Sequence, residues 1–394
     1  MKNKSSFLVI LCLALSIMFL LCGCSLLDMT LEIGGSVLSE IGGLITAVPG
    51  DVTSAETDPE VTADAETLES IRSAEGDYGY RYIENLSNPA ERKSFYESLR
   101  QVCEVFHDGD SDAGYDLSCR SNESFYRSEI DDLKKLGVKV VSEIGVSGLS
   151  KAELFETYNL FREDHPLFYW LSGACVYYSI SSKEEMTVPV LCTEDFSESS
   201  VRKEMNASIK RESEKILDIC SGYSSEYARA LAVHDAVIDR IDYKTVGGVP
   251  SDDISAHCIT GWADSSGCVC DGYSRTFQMM MNMLGIDCVT VSNTDHAWNL
   301  ICLEGYGWYW VDVTYDETSS GECRVFFCRN DTEDIFAGTS YIGSGNFLEN
   351  KHELLEPGGS KTKAKNGYTY EQLGLIIVPA LPERAALPYS GPTE

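Results

Sequence analysis

The chain has 394 residues, of which 43% are hydrophobic and 24% charged, an ordinary composition for a globular protein with one large domain or two modest ones. Its charge is unusual, because 62 acidic residues oppose 31 lysines and arginines and give a formal net charge of −31. A surface of that sign repels nucleic acid and anionic lipid headgroups, so neither is expected as a binding partner.

The N-terminus has the features of an export signal. Two lysines precede an apolar run from Phe7 to Leu21, which has the length of a signal-peptide core and is short for an uncleaved membrane anchor. The sequence Leu21-Cys22-Gly23-Cys24 ends this run and resembles a bacterial lipobox, whose last cysteine is acylated and becomes the new N-terminus. We predict a signal peptide over residues 1–23, lipidation of Cys24, and a membrane-anchored protein that faces the extracytoplasmic side. With the uncleaved anchor as the alternative, the rest of the chain faces outward as well.

The cysteines do not form a recognisable disulfide framework. An exported protein with 15 cysteines would ordinarily be expected to form disulfides. Here the spacings match no framework, and several cysteines lie inside apolar segments, as small buried side chains do. If Cys12, Cys22 and Cys24 belong to export and one further cysteine is a nucleophile, an odd number remains. Complete pairing is then impossible.

Residues 24–77 are predicted to form a flexible acidic tether. From Pro49 to Glu75 the chain is rich in Asp, Glu, Thr and Ala and poor in large apolar residues, so it cannot bury enough surface to offset the entropy of ordering. Repulsion between its like charges extends it further. Ordered structure is expected to begin near Tyr78.

The segment from residue 78 to residue 220 is predicted to be an N-terminal extension with alternating helices and strands. Asn88 and Pro89 predict the start of a helix, with the Asn88 side chain as its cap. Ser150 and Glu153 have the spacing of a capping box. The other elements predicted before the informative motifs are strands at 136–144, 174–180 and 186–191 and helices at 151–163, 199–220 and 224–241.

Cys270 is predicted to lie at the N-terminus of a helix. The residues after it place one apolar face at helical spacing, formed by Tyr273, Phe277, Met280, Met281 and Leu284. Gly285 is the expected C-terminal stop of this helix. The unpaired backbone N–H groups and the positive end of the helix dipole favour a thiolate at the N-terminus. A nucleophilic cysteine requires such an environment.

Three strand-like segments follow this helix, and the last two are joined by a hairpin signal. They span residues 287–292, 296–303 and 308–315. The second segment contains His296 and the third contains Asp312. Whether the two side chains meet across the hairpin depends on the length of the turn.

The hairpin register can be predicted from the requirement that His296 and Asp312 meet. Both must project from the same face, because side chains alternate between the two faces of a strand. A three-residue loop at 304–306 satisfies this by pairing residue 303 with 307 and residue 298 with 312. His296 is then the diagonal neighbour of Asp312. A loop of two or four residues would place the two side chains on opposite faces.

Three short motifs occur in order along this part of the chain. They are Val269-Cys270-Asp271-Gly272-Tyr273, His296-Ala297-Trp298-Asn299 and Trp310-Val311-Asp312-Val313-Thr314. In combination they resemble the transglutaminase-like superfamily, in its bacterial, papain-related branch, over about residues 225–320. Upstream, Val233-His234-Asp235 and Asp242-Tyr243 resemble the helix that precedes the core in that family. Each motif alone is weak, whereas the combination is specific.

The resemblance implies an α+β fold with a papain/transglutaminase-like core, in which a nucleophilic cysteine at a helix N-terminus packs on an antiparallel sheet carrying His and Asp. We place this core at residues 221–355, between the α/β extension and a C-terminal tail at 356–394. By the same resemblance Cys270 is the nucleophile, His296 the base and Asp312 the carboxylate that orients the base. Acyl transfer by a thiol requires this division of labour.

The expected reaction is thiol-mediated acyl transfer from an amide, with two outcomes left open. Resolution of the thioester by water makes the protein a cysteine peptidase or amidase, and resolution by a lysine amine makes it a protein-glutamine crosslinking enzyme. Hydrolysis is favoured because water needs no dedicated amine channel. A non-catalytic surface-binding lipoprotein on the same fold is the alternative of another class. Expected partners are a protein or peptide substrate, such as a cell-wall peptide, and the membrane through the lipid anchor. No cofactor is expected.

Two tryptophans are further candidates for the site. Trp298 and Trp262 are predicted to contact substrate, although a buried hairpin residue is an equally good interpretation of Trp298. Cys268 is interpreted as a loop-packing residue or a redox partner, because the motif places the catalytic thiol two residues later. His234 is expected to pack or form a hydrogen bond within its helix.

A zinc site is an alternative interpretation of one cluster in the sequence. His257, Cys258, Cys268 and Cys270 could supply four ligands, but paired Cys-x-x-Cys elements are missing. We therefore predict no metal site, and we assign no function to His257 or to the remaining histidines, His107, His165 and His352.

Overall fold

A computed structural model describes the chain at residues 78–114, 130–179, 185–292, 296–318, 321–322, 324–330, 382 and 385–394. The predicted signal peptide, Cys24, the acidic tether and His352 lie outside these residues. Within the ranges described, no helix combines the length and the apolar character needed to cross a bilayer.

Eight α-helices run through the described ranges. They are α1 (Tyr78–Tyr82), α2 (Pro89–Asp108), α3 (Lys151–Asp164), α4 (Ser199–Cys220), α5 (Glu226–Arg240), α6 (Thr260–Ala263), α7 (Cys270–Met283) and α8 (Val313–Asp316). Residues 130–135 are also helical, and short 3-10 turns lie at Ile83–Asn85, Glu194–Phe196 and Ile254–His257.

The strands of the described ranges form two antiparallel three-stranded sheets and two short hairpins. The first sheet has the order β1 (Val138–Ser147), β3 (Glu185–Thr193), β2 (Tyr178–Ser179), and the second has the order β6 (Cys288–Ser292), β7 (Ala297–Leu303), β8 (Gly307–Val311). The hairpins pair β4 (Thr245–Val246) with β5 (Val249–Pro250) and β9 (Glu317–Thr318) with β10 (Gly321–Glu322).

One apolar core runs through both the extension and the region after residue 220. It contains Leu99 and Phe161 from the extension together with Tyr273 and Phe277 from α7, each almost completely buried. A buried hydrogen bond also links the two regions, because the Gln278 amide donates to the backbone carbonyl of Glu163 at 2.8 Å. The extension is therefore packed into the same unit as α7 rather than appended to it.

Residues 385–394 pack on the second sheet and on α5. The backbone N–H of Ala385 donates to the carbonyl of Trp308 at 2.8 Å. The ring of Tyr389 stacks on that of Tyr227, with centroids 4.7 Å apart. The carbonyl of Glu394 accepts a hydrogen bond from the N–H of Ser225 at 3.2 Å.

Most predicted helices have the bounds expected from their sequence signals. The helix at 199–220 is confirmed, and so is the capping box, in which Ser150 and Glu153 exchange hydrogen bonds at the start of α3. The role of Asn88 was predicted wrongly. Asn88 does occupy the cap position of α2, but its backbone is left-handed with φ 51°, a conformation that asparagine tolerates. Its side-chain amide donates to Glu153 instead.

Two predicted strands are shorter than expected. Of the segment 174–180, only Tyr178 and Ser179 lie in a strand, while residue 180 lies outside the described residues. The Ser172 hydroxyl accepts from the N–H of Ala174 at 3.1 Å, which turns the chain locally and removes that N–H from the ladder. The third strand of the second sheet ends at Val311 rather than at residue 315, for a reason that involves the functional site.

Candidate active site

Cys270 is the first residue of α7, as the apolar spacing predicted. Val269 precedes the helix with extended backbone (φ −101°), and no side chain caps the helix N-terminus. The helix closes at Leu284, and Gly285 adopts the left-handed conformation expected of a stop, with φ 72°. Cys270 therefore lies at the positive end of the helix dipole, where a negative charge on its sulfur is favoured. The cysteine is 5% exposed.

The three residues that follow Cys270 in its motif each make a specific contact. A Cβ on Gly272 would lie 2.3 Å from the carbonyl oxygen of Ala256, so only glycine permits this close approach of the preceding loop. The Tyr273 hydroxyl donates to the carbonyl of Ile241 at 3.0 Å and fixes the underside of the helix. Asp271 contacts a histidine, described below.

The predicted hairpin register is confirmed. Leu303 pairs with Gly307 across a three-residue turn, and the ladder continues to Asn299 opposite Val311. One further step along this register places Trp298 opposite Asp312. His296, which directly precedes β7, thereby lies diagonal to Asp312.

Asp312 ends the third strand because its carboxylate caps a short helix. Its Oδ1 accepts a hydrogen bond from the backbone N–H of Tyr315 at 3.0 Å. An aspartate at the N-cap position favours helix at the following residues, and α8 replaces the strand predicted up to residue 315. Thr314 therefore belongs to a helical turn and not to the strand predicted over residues 308–315.

His296 connects Asp312 to Cys270. Its Nε2 lies 2.7 Å from Asp312 Oδ2, and its side chain also forms a hydrogen bond with Cys270. Because Nε2 is engaged by the carboxylate, Nδ1 is the ring nitrogen left for the thiol. Burial by itself lowers the pKa of His296, but the Asp312 carboxylate and the Cys270 contact outweigh it, and the net pKa is raised. The structure thus connects the three predicted residues by hydrogen bonds, from Cys270 to His296 and from His296 to Asp312.

Two aromatic rings hold the His296 imidazole. Tyr315 lies nearly parallel to it, with ring centroids 4.2 Å apart and planes at 10°. Trp298 is also nearly parallel to it at 5.4 Å and 18°. Tyr315 was missed from the sequence, because a continuous strand would have turned it away from the face that carries Asp312. An Asp followed three residues later by an aromatic residue is the signal that could have revealed it.

Residues 215–313 match the model of the transglutaminase-like superfamily, Transglut_core. We call this segment the transglutaminase-like domain after that similarity. The match, together with the helices and antiparallel sheets described above, confirms the predicted α+β, papain/transglutaminase-like fold class.

The similarity to individual proteins is more distant. Kyphoscoliosis peptidase of Mus musculus is 27% identical over 175 residues, which cover 39% of this chain and 26% of the mouse protein. The chain thus spans about a quarter of the length of that relative. A solved structure described as the crystal structure of a TGase has 12% sequence identity and a TM-score of 0.27, with 55% of this chain and 53% of that chain covered.

A second histidine–carboxylate pair lies beside Cys270 in the transglutaminase-like domain. His257 Nδ1 lies 2.9 Å from each oxygen of Asp271, and its Nε2 lies 3.0 Å from the backbone carbonyl of Ser251. His257 also interacts electrostatically with Cys270. Sequence reasoning assigned no function to His257. The signal available was the acidic residue that directly follows the nucleophile in its motif.

The two other predicted site residues, Trp262 and Trp298, are buried in the core. Trp262 is fully buried, with the Arg240 guanidinium over its ring at 5.4 Å, and Trp298 is 1% exposed. Both side chains are enclosed by protein atoms in this structure, and their contact with substrate stays a prediction. Trp298 acts on the site through His296.

The cysteines around Cys270 are buried thiols. Burial raises the pKa of Cys258 to about 11 and that of Cys268 well above its ordinary value. Cys268 is completely buried and contributes to the packing of the loop before α7. In the ranges described, no group of three or more His, Cys, Asp or Glu side chains has the arrangement of a metal site.

His234 links two parts of the transglutaminase-like domain. Its Nδ1 lies 3.0 Å from Asp235 Oδ1 on the same helix, as predicted, and its Nε2 lies 3.2 Å from Asp316 Oδ2 on α8. The second contact was not predicted. It ties α5 to the short helix that carries Tyr315.

Proposed function

We propose that this protein is an extracytoplasmic, lipid-anchored cysteine peptidase or amidase, in which Cys270, His296 and Asp312 form the catalytic triad. The observation that carries the proposal is the continuous path from the Cys270 thiol through the His296 imidazole to the Asp312 carboxylate, at the N-terminus of α7. The transglutaminase-like domain supports the reaction class, namely acyl transfer by a thiol.

Each residue of the triad has a defined step. His296 takes the proton from the Cys270 thiol through Nδ1, and the thiolate attacks the amide carbonyl carbon. The backbone N–H of Cys270 is a donor for the oxyanion of the tetrahedral intermediate. His296 returns the proton to the leaving amine, which leaves a thioester on Cys270. Asp312 accepts from Nε2–H throughout and stabilises the imidazolium.

Water then resolves the thioester in the proposed reaction. The His296 imidazole, neutral again after the amine leaves, takes a proton from the attacking water, and the carboxylic acid and the free thiol are released. The relative in mouse is named a peptidase, which favours water over an amine as the acceptor. A lysine amine in place of water would yield a crosslinked protein instead.

Selective alkylation tests the proposed nucleophile. The fragment from residue 78 onward is treated with iodoacetamide between pH 5 and pH 9, and the labelled cysteines are mapped by mass spectrometry. Cys270 should be labelled at pH values where Cys258 and Cys268 are not, because burial keeps those two thiols protonated. His296→Ala should abolish that preference. Slow and equal labelling of many cysteines would indicate a non-catalytic binding protein on the same fold.

The acceptor is tested separately with a glutamine-containing protein and a labelled primary amine. Release of shorter peptides without incorporation of the amine supports hydrolysis. Incorporation of the amine into the protein, dependent on Cys270, would instead assign the crosslinking activity. Growth in radiolabelled palmitate tests the lipid anchor, since Cys24→Ser should remove the label from the full-length chain.

A further inference from the structure

A cavity of about 370 Å³ lies between the extension and the transglutaminase-like domain, next to the start of α7. One wall comes from the extension, including Arg162 at the end of α3. The other wall comes from the catalytic side, including His257, Cys258, Asp271 and Arg275. Its volume falls in the range of pockets that bury small organic ligands. On the catalytic wall, His257 interacts electrostatically with Cys270 and contacts Asp271, the residue that follows Cys270 in the chain.

Two arginines of this cavity are held by largely buried contacts with one glutamate. Arg162 and Arg275 both donate to a single oxygen of Glu163, at 2.9 Å and 2.6 Å. The second oxygen, Oε2, is buried and has no hydrogen-bond partner. Burial alone raises the pKa of Glu163, but the two guanidiniums outweigh it and hold the pKa below its ordinary value. Two positive charges are therefore balanced by one negative charge here.

His257 adds a third positive charge to the wall. Both of its ring nitrogens face acceptors, the Asp271 carboxylate on Nδ1 and the Ser251 carbonyl on Nε2. An imidazole satisfies two acceptors only when both nitrogens carry protons, which is the cationic form. Burial lowers the pKa of His257, but the Asp271 carboxylate outweighs it and the net pKa is raised. These three cations face two carboxylates, and Lys135 at the edge of the cavity is paired with Asp132.

We propose that this cavity binds a carboxylate of the peptide substrate, close to the amide that Cys270 attacks. The inference rests on the proposed function and specifies its substrate class as peptides that carry a carboxylate beside the scissile bond. A single substrate carboxylate would balance the positive charge that the cavity leaves uncompensated. This local surplus stands out in a chain whose formal net charge is −31.

The arrangement also gives the extension a role in recognition. Arg162 belongs to the extension, whereas Arg275 lies one turn after Asp271 on the helix of the nucleophile. A carboxylate between these walls would hold the substrate in register with Cys270, because α7 carries both the binding and the reacting groups. Positioning of this kind converts binding energy into rate.

The test measures binding on a protein that cannot turn over. The full-length chain carrying Cys270→Ser is titrated by calorimetry, in detergent, with three peptides, namely acetyl-Ala-Glu-Ala-amide, acetyl-Ala-Gln-Ala-amide and acetyl-Ala-Ala-Ala with a free C-terminal carboxylate. At least one carboxylate peptide should bind about tenfold more tightly than the glutamine peptide, the usual gain from one charge-assisted hydrogen bond. The tighter of the two identifies a side-chain or a C-terminal carboxylate as the ligand.

Matched variants distinguish the cavity from general charge attraction. Arg162→Gln should bring the carboxylate and glutamine peptides to within about twofold of each other. Arg211→Gln removes an exposed arginine that also pairs with the glutamate next to it, and it should leave the preference unchanged. If Arg162→Gln unfolds the protein, Lys135→Gln at the edge of the cavity is expected to weaken the carboxylate preference by about twofold.

The result is independent of the proposed chemistry. Equal binding of all three peptides, or a preference that survives Arg162→Gln in a folded protein, would overturn the carboxylate site. A carboxylate preference in a protein whose Cys270 is not selectively alkylated would leave the binding site standing and refute the enzyme.

Discussion

The Tyr315 ring lies flat against the imidazole of His296, with centroids 4.2 Å apart and planes 10° from parallel. The tyrosine reaches this position because Asp312 both receives His296 and starts the helical turn that carries Tyr315. One carboxylate therefore orients the base through a hydrogen bond and also places the ring that packs against it.

Loss of the ring at position 315 should misalign the base. Tyr315→Leu is expected to reduce the rate of Cys270 alkylation at pH 6 by about tenfold, because small displacements of a catalytic group are costly. Tyr315→Phe keeps the stacked ring and should react at close to the wild-type rate. The rates are measured by mass spectrometry, together with the urea midpoint of each variant. Equal rates for Tyr315→Leu and Tyr315→Phe would show that stacking is unimportant.

Asp312→Asn should separate the capping of α8 by this residue from its orientation of His296. The asparagine oxygen can still accept from the N–H of Tyr315, so α8 and the stability of the protein should be largely retained. Its NH₂ would face Nε2 and favour the tautomer that carries the proton on Nδ1, which cannot accept the thiol proton. Alkylation of Cys270 at pH 6 should slow by at least about tenfold. An unchanged rate with an unchanged unfolding midpoint would contradict the orienting role of Asp312.

Gly272→Ala should destabilise the protein through a backbone overlap. The new Cβ would lie 2.3 Å from the carbonyl oxygen of Ala256 and 2.8 Å from the Cβ of Cys268, and neither neighbour is the end of a flexible side chain. We expect a loss of about 2–3 kcal/mol in the free energy of unfolding, measured in urea. Gly222→Ala is the matched control, since its nearest contact is the Ile219 carbonyl at an ordinary 3.5 Å. It should change stability by less than about 0.5 kcal/mol.

Asp164 should make the protein less stable as the pH rises from about 4 to about 6. Burial raises the pKa of its carboxyl to about 6, against three opposing hydrogen bonds from Gly79 N–H, Tyr80 N–H and the Tyr96 hydroxyl. The folded protein therefore keeps this proton at pH values where the unfolded chain has lost it. Its contribution to stability is full below about pH 4 and is lost as the pH rises through 6, with a total decline of about 3 kcal/mol by pH 7.

The contribution of Asp164 is isolated by comparison with Asp164→Asn. Free energies of unfolding in urea are measured for both proteins at pH 4, 5, 6 and 7. Across this range the free energy of unfolding of the wild type should fall relative to that of the variant. A constant difference would mean that the carboxyl titrates normally in the folded protein.

Much of the site could be predicted because it depends on local rules. The position of Cys270 at a helix N-terminus follows from the spacing of five apolar residues, and the pairing of Leu303 with Gly307 follows from the two-residue period of a strand. Both rules operate over short distances in the sequence. Lipidation of Cys24 and the division of the chain at residue 220 stay predictions.

The parts that escaped prediction depend on contacts between distant segments. His257 and Asp271 are joined across a loop, and Glu163 meets Arg275 from a position 112 residues earlier. No periodicity encodes such pairs, so neither the second histidine nor the cavity could be read from the sequence. Tyr315 was missed because a single side-chain cap, from Asp312, overrode the alternation expected of a strand.

The Glu163–Arg275 pair implies that the segment with sequence similarity to the family does not form a folding unit by itself. A fragment cut to residues 215–313 would expose the guanidinium of Arg275, whose side chain is only 11% exposed beside Glu163 in the full chain, and would end before Tyr315. Transplanting the triad onto a minimal scaffold would therefore require the wall that α3 supplies. Engineering of this site has to treat the extension and the core as one unit.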